Sequence, residues 1–236
     1  MHDTRPSLCV ALDGSDRDWI LDMAGRLAPI GGWLKLGLEA FTAHGPQLVR
    51  EVGRLGRPVF LDVKLHDIPN TVRRAAANCA RTGAAMFNVH AAGGSDMLAA
   101  AVDGASDGAA GDRPKVIAVT LLTSLDAGDL ERLGVASGPD ELVLRWATLA
   151  RDAGLDGVVA SAREAPEIRA ACGDDFLIVT PGIRPPWAAK DDQRRTVTPY
   201  EARRLGADLL VVGRPVTGAD DPAAAARRLL DEISRS

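Results

Sequence analysis

The chain alternates short apolar runs with longer segments of helical periodicity, and this alternation repeats eight times along its length. Runs rich in Val, Ile and Leu predict buried strands, and the segments between them place apolar residues at the three- and four-residue spacing of a helix. Units of this kind form parallel sheets, because each helix carries the chain back to the start of the next strand. The 236 residues of the chain match the usual size of one (β/α)8 barrel.

We therefore predict a single-domain α/β fold, a (β/α)8 TIM barrel over residues 1–236, with a doubly wound open sheet as the alternative. The predicted strands are Leu8–Asp13, Trp33–Leu38, Val59–Leu65, Met86–His90, Val116–Leu121, Gly157–Ala160, Leu177–Pro181 and Leu209–Val212. The predicted helices are Arg17–Ala28, Gly45–Leu55, Thr71–Thr82, Ser95–Ala105, Glu141–Ala153, Arg163–Ala171, Tyr200–Leu205 and Pro222–Ile233. Two polar or glycine-rich segments, Gly104–Gly111 and Arg184–Thr196, predict mobile loops.

Composition excludes several classes of protein. Hydrophobic residues make up 46% of the chain and charged residues 25%, which is typical of a globular protein and not of a disordered one. A net charge of -4 argues against nucleic-acid binding through a broad basic surface. The amino terminus lacks the pattern of a secretion signal, and no run reaches the roughly 20 apolar residues of a membrane span. Three widely spaced cysteines without zinc-site spacing favour a cytoplasmic protein.

Alternation within the first three predicted strands places charged side chains on one face. Aliphatic residues take the positions that face the helices, so Asp13, Lys35, Asp62 and Lys64 are predicted to face the barrel interior. Buried charges are costly unless they are paired, and four of them at a barrel mouth predict an active site. An ion network that only fixes the strand register is the alternative. His66 and His90 also fall on inward positions, where hydrogen-bonded core histidines are the common case.

Two loops predict a phosphate site. The last strand runs into Val212-Gly213-Arg214-Pro215, where a glycine N–H can approach an anion and a guanidinium can bind two phosphate oxygens. The seventh strand runs into Pro181-Gly182-Ile183-Arg184 and then into a polar segment that contains Gln193. Loops after strands seven and eight commonly bind phosphate in barrel enzymes, and a long loop can close over the phosphate and exclude water.

The segment LDVKLHDIPNT, Leu61 to Thr71, resembles the signature of the orotidine 5'-phosphate decarboxylase family. The core Asp-x-Lys-x-x-Asp is shared by a wider superfamily, whereas the continuation His-Asp-Ile-Pro-Asn-Thr is more specific. Further matches follow the family's order along nearly the whole chain: VALD at Val10–Asp13, LKLG at Leu34–Gly37, TLLTS at Thr120–Ser124, TPGIR at Thr180–Arg184 and VGRP at Val212–Pro215. The segment Pro186–Asp192 is the least typical part of the chain.

The resemblance implies a cofactor-independent carboxy-lyase that converts orotidine 5'-phosphate to UMP, the last step of de novo pyrimidine synthesis, with no metal. Its catalytic array maps to Lys35, Asp62, Lys64 and Asp67, with Lys64 stabilising and protonating a carbanion at C6 of the pyrimidine. Asp62 would act by repelling the departing carboxylate or by holding Lys64, and the sequence leaves both roles open. The implied substrate-binding residues are Asp13, Lys35, Asp62, Ile68, Thr71, Thr123 with nearby Ser124, Arg184, Gln193, Gly213 and Arg214.

The family also implies a homodimer in which each subunit supplies Asp67 to its neighbour's site. The expected partner molecule is a nucleotide, with no nucleic acid and no membrane. One alternative is a sugar-phosphate decarboxylase or lyase of the same superfamily that uses Mg²⁺. Such a site needs a further carboxylate on a neighbouring strand, where this chain carries Lys35. The other alternative is a non-catalytic nucleotide-binding barrel, which would be expected to lack one of the ionisable residues.

Overall fold

Eight parallel strands close into a barrel in the order of the sequence, in a computed structural model that describes residues 7–188 and 196–234. The strands are β1 Ser7–Ala11, β2 Trp33–Leu36, β3 Val59–Leu65, β4 Met86–His90, β5 Lys115–Val119, β6 Gly157–Val159, β7 Leu177–Thr180 and β8 Leu209–Val212. β1 pairs in parallel with both β2 and β8, which closes the sheet on itself. The predicted TIM barrel is confirmed, and the open doubly wound sheet is wrong.

Helices connect the strands and cover the outside of the barrel. They are α1 Arg17–Leu27, α2 Leu38–Gly53, α3 Pro69–Arg81, α4 Gly94–Gly108, α5 Ala127–Arg132, α6 Pro139–Asp152, α7 Ala165–Cys172, α8 Pro199–Arg204, α9 Arg214–Thr217 and α10 Pro222–Ser234. The short helices α5 and α9 are absent from the prediction, because six and four residues are too few to display helical periodicity. The predicted second helix begins too late: α2 starts at Leu38 and contains a break at Gly45.

Two apolar layers follow from the alternation of side chains along the strands. Outward residues such as Leu8, Leu34 and Leu61 pack against the helices. Inward residues form a second cluster on the barrel axis: Cys9, Phe60, Met86, Ile117, Val179 and Leu209. This inner cluster fills the lower part of the barrel, so the charged inward residues nearer the carboxyl ends of the strands stand above an apolar floor.

The prediction of a mobile loop at Gly104–Gly111 is wrong for residues 104–108. Residues up to Gly108 continue α4, and Gly104 and Gly108 are buried against α3. A Cβ on Gly104 would lie 2.1 Å from the backbone oxygen of Arg73, and one on Gly108 would lie 2.2 Å from that of Ala77. The small residues that resemble a loop in composition instead allow two helix backbones to approach each other closely.

The second predicted loop, Arg184–Thr196, falls partly outside the described residues. Arg184–Ala188 and Thr196 belong to no helix or strand, as predicted. Both ends of the loop are held together, because Arg184 N donates to the carbonyl oxygen of Val197 at 2.9 Å and Val197 N donates to that of Gly182 at 3.2 Å. Trp187 is also attached to α10, where its indole N–H donates to Glu232 at 2.7 Å.

Candidate active site

Four charged side chains meet at the carboxyl ends of the first three strands, where the sequence predicts them. Lys35 Nζ lies 3.0 Å from Asp13 Oδ1 and 3.2 Å from Asp62 Oδ2. Lys64 Nζ lies 2.5 Å from Asp62 Oδ1. The Asp62 carboxylate therefore bridges two ammonium groups, one on each of its oxygens. The prediction from strand alternation, that Asp13, Lys35, Asp62 and Lys64 face the barrel interior, is confirmed.

Burial strengthens the contact between Lys35 and Asp62 relative to a surface ion pair. The side chains of Lys35 and Asp62 are 9% and 13% exposed, whereas those of Lys64 and Asp13 are 28% and 59% exposed. Burial by itself raises the pKa of Asp62, but Lys35, Lys64 and hydrogen bonds reverse that effect and hold it below its usual value. Burial likewise opposes the charge on Lys35, and Asp62 and Asp13 outweigh it, so the pKa of Lys35 is raised. Asp62 is thus kept ionised and Lys35 protonated at neutral pH.

Gly37 allows Asp13 and Lys35 to meet. A Cβ at this position would lie 2.9 Å from Asp13 Oδ1 and 3.2 Å from Lys35 Nζ. Any side chain here would press on the ion pair, which explains why α2 is preceded by a glycine.

Asn88 is a site residue that the sequence analysis missed. It is 1% exposed, and its amide nitrogen donates to Asp62 Oδ1 at 2.7 Å. Its amide oxygen accepts a hydrogen bond from the backbone N–H of Lys64, also at 2.7 Å. Strand alternation could have identified it, because the alternation within β4 that places Met86 on the barrel axis also turns Asn88 inward.

A cavity of about 640 Å³ lies above this charge array. Each of the eight strands lines it, through Ala11, Lys35, Phe60, Asp62, Lys64, Asn88, Val119, Val159, Val179 and Val211. The predicted residues Asp13, Thr123, Arg184, Gly213 and Arg214 also line it, whereas Ser124 does not. Gln193 lies outside the described residues. The cavity therefore has an ionic array on one side and two guanidinium groups from the β7 and β8 loops, the arrangement that the sequence predicts for an anionic ligand.

Three further predicted residues lie apart from the cavity of this chain. Asp67, Ile68 and Thr71 are exposed where β3 passes into α3, and the side chain of Asp67 accepts a hydrogen bond from the Ile68 N–H at 2.7 Å. Ile68 is 66% exposed, which is unusual for a large aliphatic residue. A single chain therefore does not bring these residues to the charge array.

The expectation of core histidines is wrong for His66, which is exposed. Its ring centroid lies 5.6 Å from that of His90, which is partly buried. Burial, with smaller contributions from His66 and Lys64, lowers the pKa of His90. Neither ring lines the cavity.

The donor set at the array does not suit a divalent cation. Both oxygens of Asp62 already contact ammonium groups, and a cation placed there would be repelled by Lys35 and Lys64. Within residues 7–188 and 196–234, there is no group of three or more His, Cys, Asp or Glu side chains that could hold a metal ion. Over the same residues, no helix has the length and apolar character that crossing a membrane requires.

The geometry supports proton transfer and charge stabilisation. Lys64 carries an ammonium group, lines the cavity and is fixed by one carboxylate, so it can face a negative charge that develops on a bound molecule and then protonate it. The apolar residues Val119, Leu121 and Val159 supply a low-dielectric wall beside the charges.

Comparison with known proteins agrees with this geometry. A model of the "Orotidine 5'-phosphate decarboxylase / HUMPS family" matches residues 6–229. Orotidine 5'-phosphate decarboxylase of Geobacter sulfurreducens is 51% identical over 230 residues, covering 97% of this chain and 96% of the relative. The enzyme of the same name from Alkalilimnicola ehrlichii is 54% identical over 227 residues, with 96% of each chain covered.

A solved structure is also closely similar. The crystal structure of orotidine 5'-phosphate decarboxylase from Lactobacillus acidophilus superimposes with a TM-score of 0.87 at 37% identity. The match covers 98% of this chain and 100% of that one. The similarity thus extends over the barrel and the residues that line its cavity.

Proposed function

Because the chain belongs to the orotidine 5'-phosphate decarboxylase / HUMPS family, we propose that it converts orotidine 5'-phosphate to UMP and CO2. This reaction is the final step of de novo pyrimidine nucleotide synthesis. The observation that carries the proposal is the Lys35-Asp62-Lys64 array that lines the cavity. We take residues 1–236 as one catalytic domain that needs no metal or organic cofactor.

The reaction demands such an array because its carbanion has no internal electron sink. When the bond from C6 to the carboxylate breaks, the electron pair stays in an orbital in the plane of the ring and cannot enter the π system. The Lys64 ammonium supplies the missing stabilisation and then transfers a proton to C6, which gives UMP. Lys64 remains partly exposed, so the neutral amine can regain a proton from solvent.

Asp62 acts mainly by positioning in this proposal. Its contacts with both ammonium groups fix the direction of Lys64 before substrate binds, which avoids reorganisation during the reaction. The substrate carboxylate would bind near the same ammonium groups, and Asp62 would then oppose its charge as well. Holding Lys64 has direct support from a 2.5 Å contact, so we assign it as the main role.

The remaining predicted residues orient the nucleotide. Asp13 and Lys35 are assigned to the ribose hydroxyls, and Thr123 to the edge of the pyrimidine. Gly213 and Arg214 bind the phosphate, with Arg184 and Gln193 as further contacts from the β7 loop. Binding energy from the phosphate, which lies far from C6, would be used to order the site around the reacting ring.

We assign Asp67, Ile68 and Thr71 to the active site of a partner subunit in a homodimer. All three are exposed beside the end of β3, and a large exposed aliphatic side chain such as Ile68 suits a protein interface. A cytoplasmic location is proposed on the basis of three free cysteines and the family's place in nucleotide synthesis.

The two alternatives carry less weight. A Mg²⁺-dependent lyase needs a further carboxylate ligand where Lys35 stands, and both oxygens of Asp62 already contact Lys35 and Lys64. A non-catalytic nucleotide-binding barrel would have no need for a buried, ionised array, which costs free energy to maintain.

The test is an ultraviolet assay of the conversion of orotidine 5'-phosphate to UMP, with and without EDTA. We expect rapid turnover that EDTA leaves unchanged, because no step needs a metal. Lys64→Ala should reduce kcat by several orders of magnitude while UMP still binds. Lys115→Ala is the matched control, since Lys115 is exposed at the start of β5, at the opposite end of the barrel.

Absence of turnover by folded wild-type protein would overturn the proposed reaction. Near-normal turnover by Lys64→Ala would remove Lys64 from the mechanism but leave the reaction in place. Loss of turnover in EDTA that Mg²⁺ restores would favour the metal-dependent alternative.

A further inference from the structure

Asn88 links the two catalytic residues of β3 from the neighbouring strand. One amide group donates to the Asp62 carboxylate and accepts from the Lys64 backbone, each at 2.7 Å. Because the nitrogen has a carboxylate partner and the oxygen has an N–H partner, only one orientation of the amide satisfies both contacts. Its almost complete burial means that water does not compete for either hydrogen bond.

The Lys64 backbone needs such a partner because it departs from regular strand geometry. Among the described residues other than glycine, Lys64 alone has a positive φ, at 50°. The pairing of β3 with β4 is regular up to Leu61 and resumes at Leu65 with a shifted register. Within this irregularity the Lys64 N–H is bonded to a side chain of β4, not to its backbone. A left-handed conformation costs a non-glycine residue roughly 1–2 kcal/mol, so it persists only where surrounding contacts enforce it.

We propose that Asn88 is a positioning residue for the decarboxylation, which fixes the direction of the Lys64 ammonium by holding its backbone and its carboxylate partner together. The inference rests on the proposed function for the identity of the reaction. Asn88 acts through Lys64 and Asp62 and takes no proton itself. The Lys64 side chain lines the cavity, and the amide holds both residues of the ion pair in fixed positions on β3.

The effect of Asn88 on the pKa of Asp62 distinguishes a positioning role from a role in packing alone. The hydrogen bond from Asn88 is one of the contacts that lower the pKa of Asp62 against the effect of burial. Removing the donor therefore raises the pKa of Asp62, and the carboxylate that holds Lys64 is protonated at a higher pH. A purely structural asparagine would affect stability without moving the pH profile of turnover.

The experiment compares Asn88→Ala and Asn88→Asp with the wild type. For Asn88→Ala we expect kcat to fall about 100-fold, the scale of a misplaced catalytic group, while the affinity for UMP changes little. The acid limb of the kcat profile should move to higher pH. Asn88→Asp keeps an acceptor for the Lys64 N–H but places a second carboxylate beside Asp62, so its acid limb should move further than that of Asn88→Ala.

A readout that needs no turnover is the titration of Asp62 followed by carbon-13 NMR of the labelled carboxyl group, assigned with Asp62→Asn. We expect the titration to move to higher pH in Asn88→Ala. The matched control is Thr82→Val, which removes a buried polar group that donates to the Cys79 carbonyl at the end of α3. It should lower the thermal midpoint without changing kcat or the titration of Asp62.

The proposal is overturned if folded Asn88→Ala retains wild-type kcat and pH profile, or if the titration of Asp62 does not move. Should Asn88→Ala fail to fold, Asn88→Ser is judged by the same two criteria. A wild type without turnover would refute the proposed reaction alone, because the titration still decides whether Asn88 controls Asp62.

Discussion

At the scale of single residues, Asp62 carries the electrostatic balance of the site. One carboxylate contacts two ammonium groups and an amide, so its ionised form is favoured although it is mostly buried. A carboxylate with fewer partners at this depth would be protonated or would destabilise the fold. The same contacts leave Lys64 directed at the cavity, which is the condition for proton transfer to a bound molecule.

Arg214 offers a test of the phosphate assignment. Arg214→Ala should weaken the binding of UMP about 10- to 100-fold, since charge-assisted hydrogen bonds contribute roughly 1.5–3 kcal/mol. Its effect on uridine, which lacks the phosphate, should be small. Isothermal titration of both ligands measures the difference, and Arg145→Ala, an exposed arginine of α6 paired with Glu141, is the control. Equal losses for UMP and uridine would contradict the assignment.

At the scale of elements, α3 and α4 pack through backbone instead of large side chains. Gly104 lies against the carbonyl of Arg73, where a Cβ would approach to 2.1 Å, and this part of α4 is buried. Close packing here holds the helices that follow β3 and β4, the two strands that carry Asp62, Lys64 and Asn88. The glycines of α4 are therefore part of the support of the site.

A pair of helical glycines tests this packing. Gly104→Ala should destabilise the fold by about 1–3 kcal/mol, because the backbone of α3 must move to admit the methyl group. Gly25→Ala in α1 should instead stabilise it by roughly 0.5–1 kcal/mol, since a Cβ there meets nothing within 4 Å. Urea unfolding of both variants gives the two free energies. A stabilising Gly104→Ala would show that the helices can separate without cost.

At the scale of the whole molecule, the closed barrel assembles a site from every strand but leaves Asp67, Ile68 and Thr71 outside it. The proposed homodimer explains why these three residues lie outside the cavity, because each chain can supply them to the cavity of its partner. The prediction that separates shared sites from independent ones is complementation between inactive variants.

Lys64→Ala and Asp67→Ala protein should each be nearly inactive, and mixing them should restore about a quarter of the wild-type activity after subunit exchange. Half of the dimers are then mixed, and each mixed dimer has one site with both residues intact. Mixing Lys64→Ala with Lys35→Ala is the control, since both lysines come from one chain and no intact site forms. Absence of recovery in the first mixture, with exchange demonstrated, would favour sites built within one chain.

The sequence by itself determined the barrel and the position of its charges, because both depend on local periodicity. Alternation along β1, β2 and β3 places Asp13, Lys35, Asp62 and Lys64 inward in any regular parallel barrel. The same rule reaches Asn88 once it is extended to β4. Glycine-rich composition, in contrast, wrongly predicted a loop where α4 ends, since composition does not show whether a small residue faces solvent or another helix.

Only the tertiary structure decided which distant residues touch. The bulge at Lys64 and its bond to Asn88 join positions on two strands whose relative register is not encoded in either strand alone. The contact of α4 with α3 and the exposure of Ile68 likewise depend on how helices lie on the closed sheet. These features arise from contacts between residues that are distant in the sequence. Local periodicity therefore determines which way a side chain points, and the tertiary fold determines which residues it contacts.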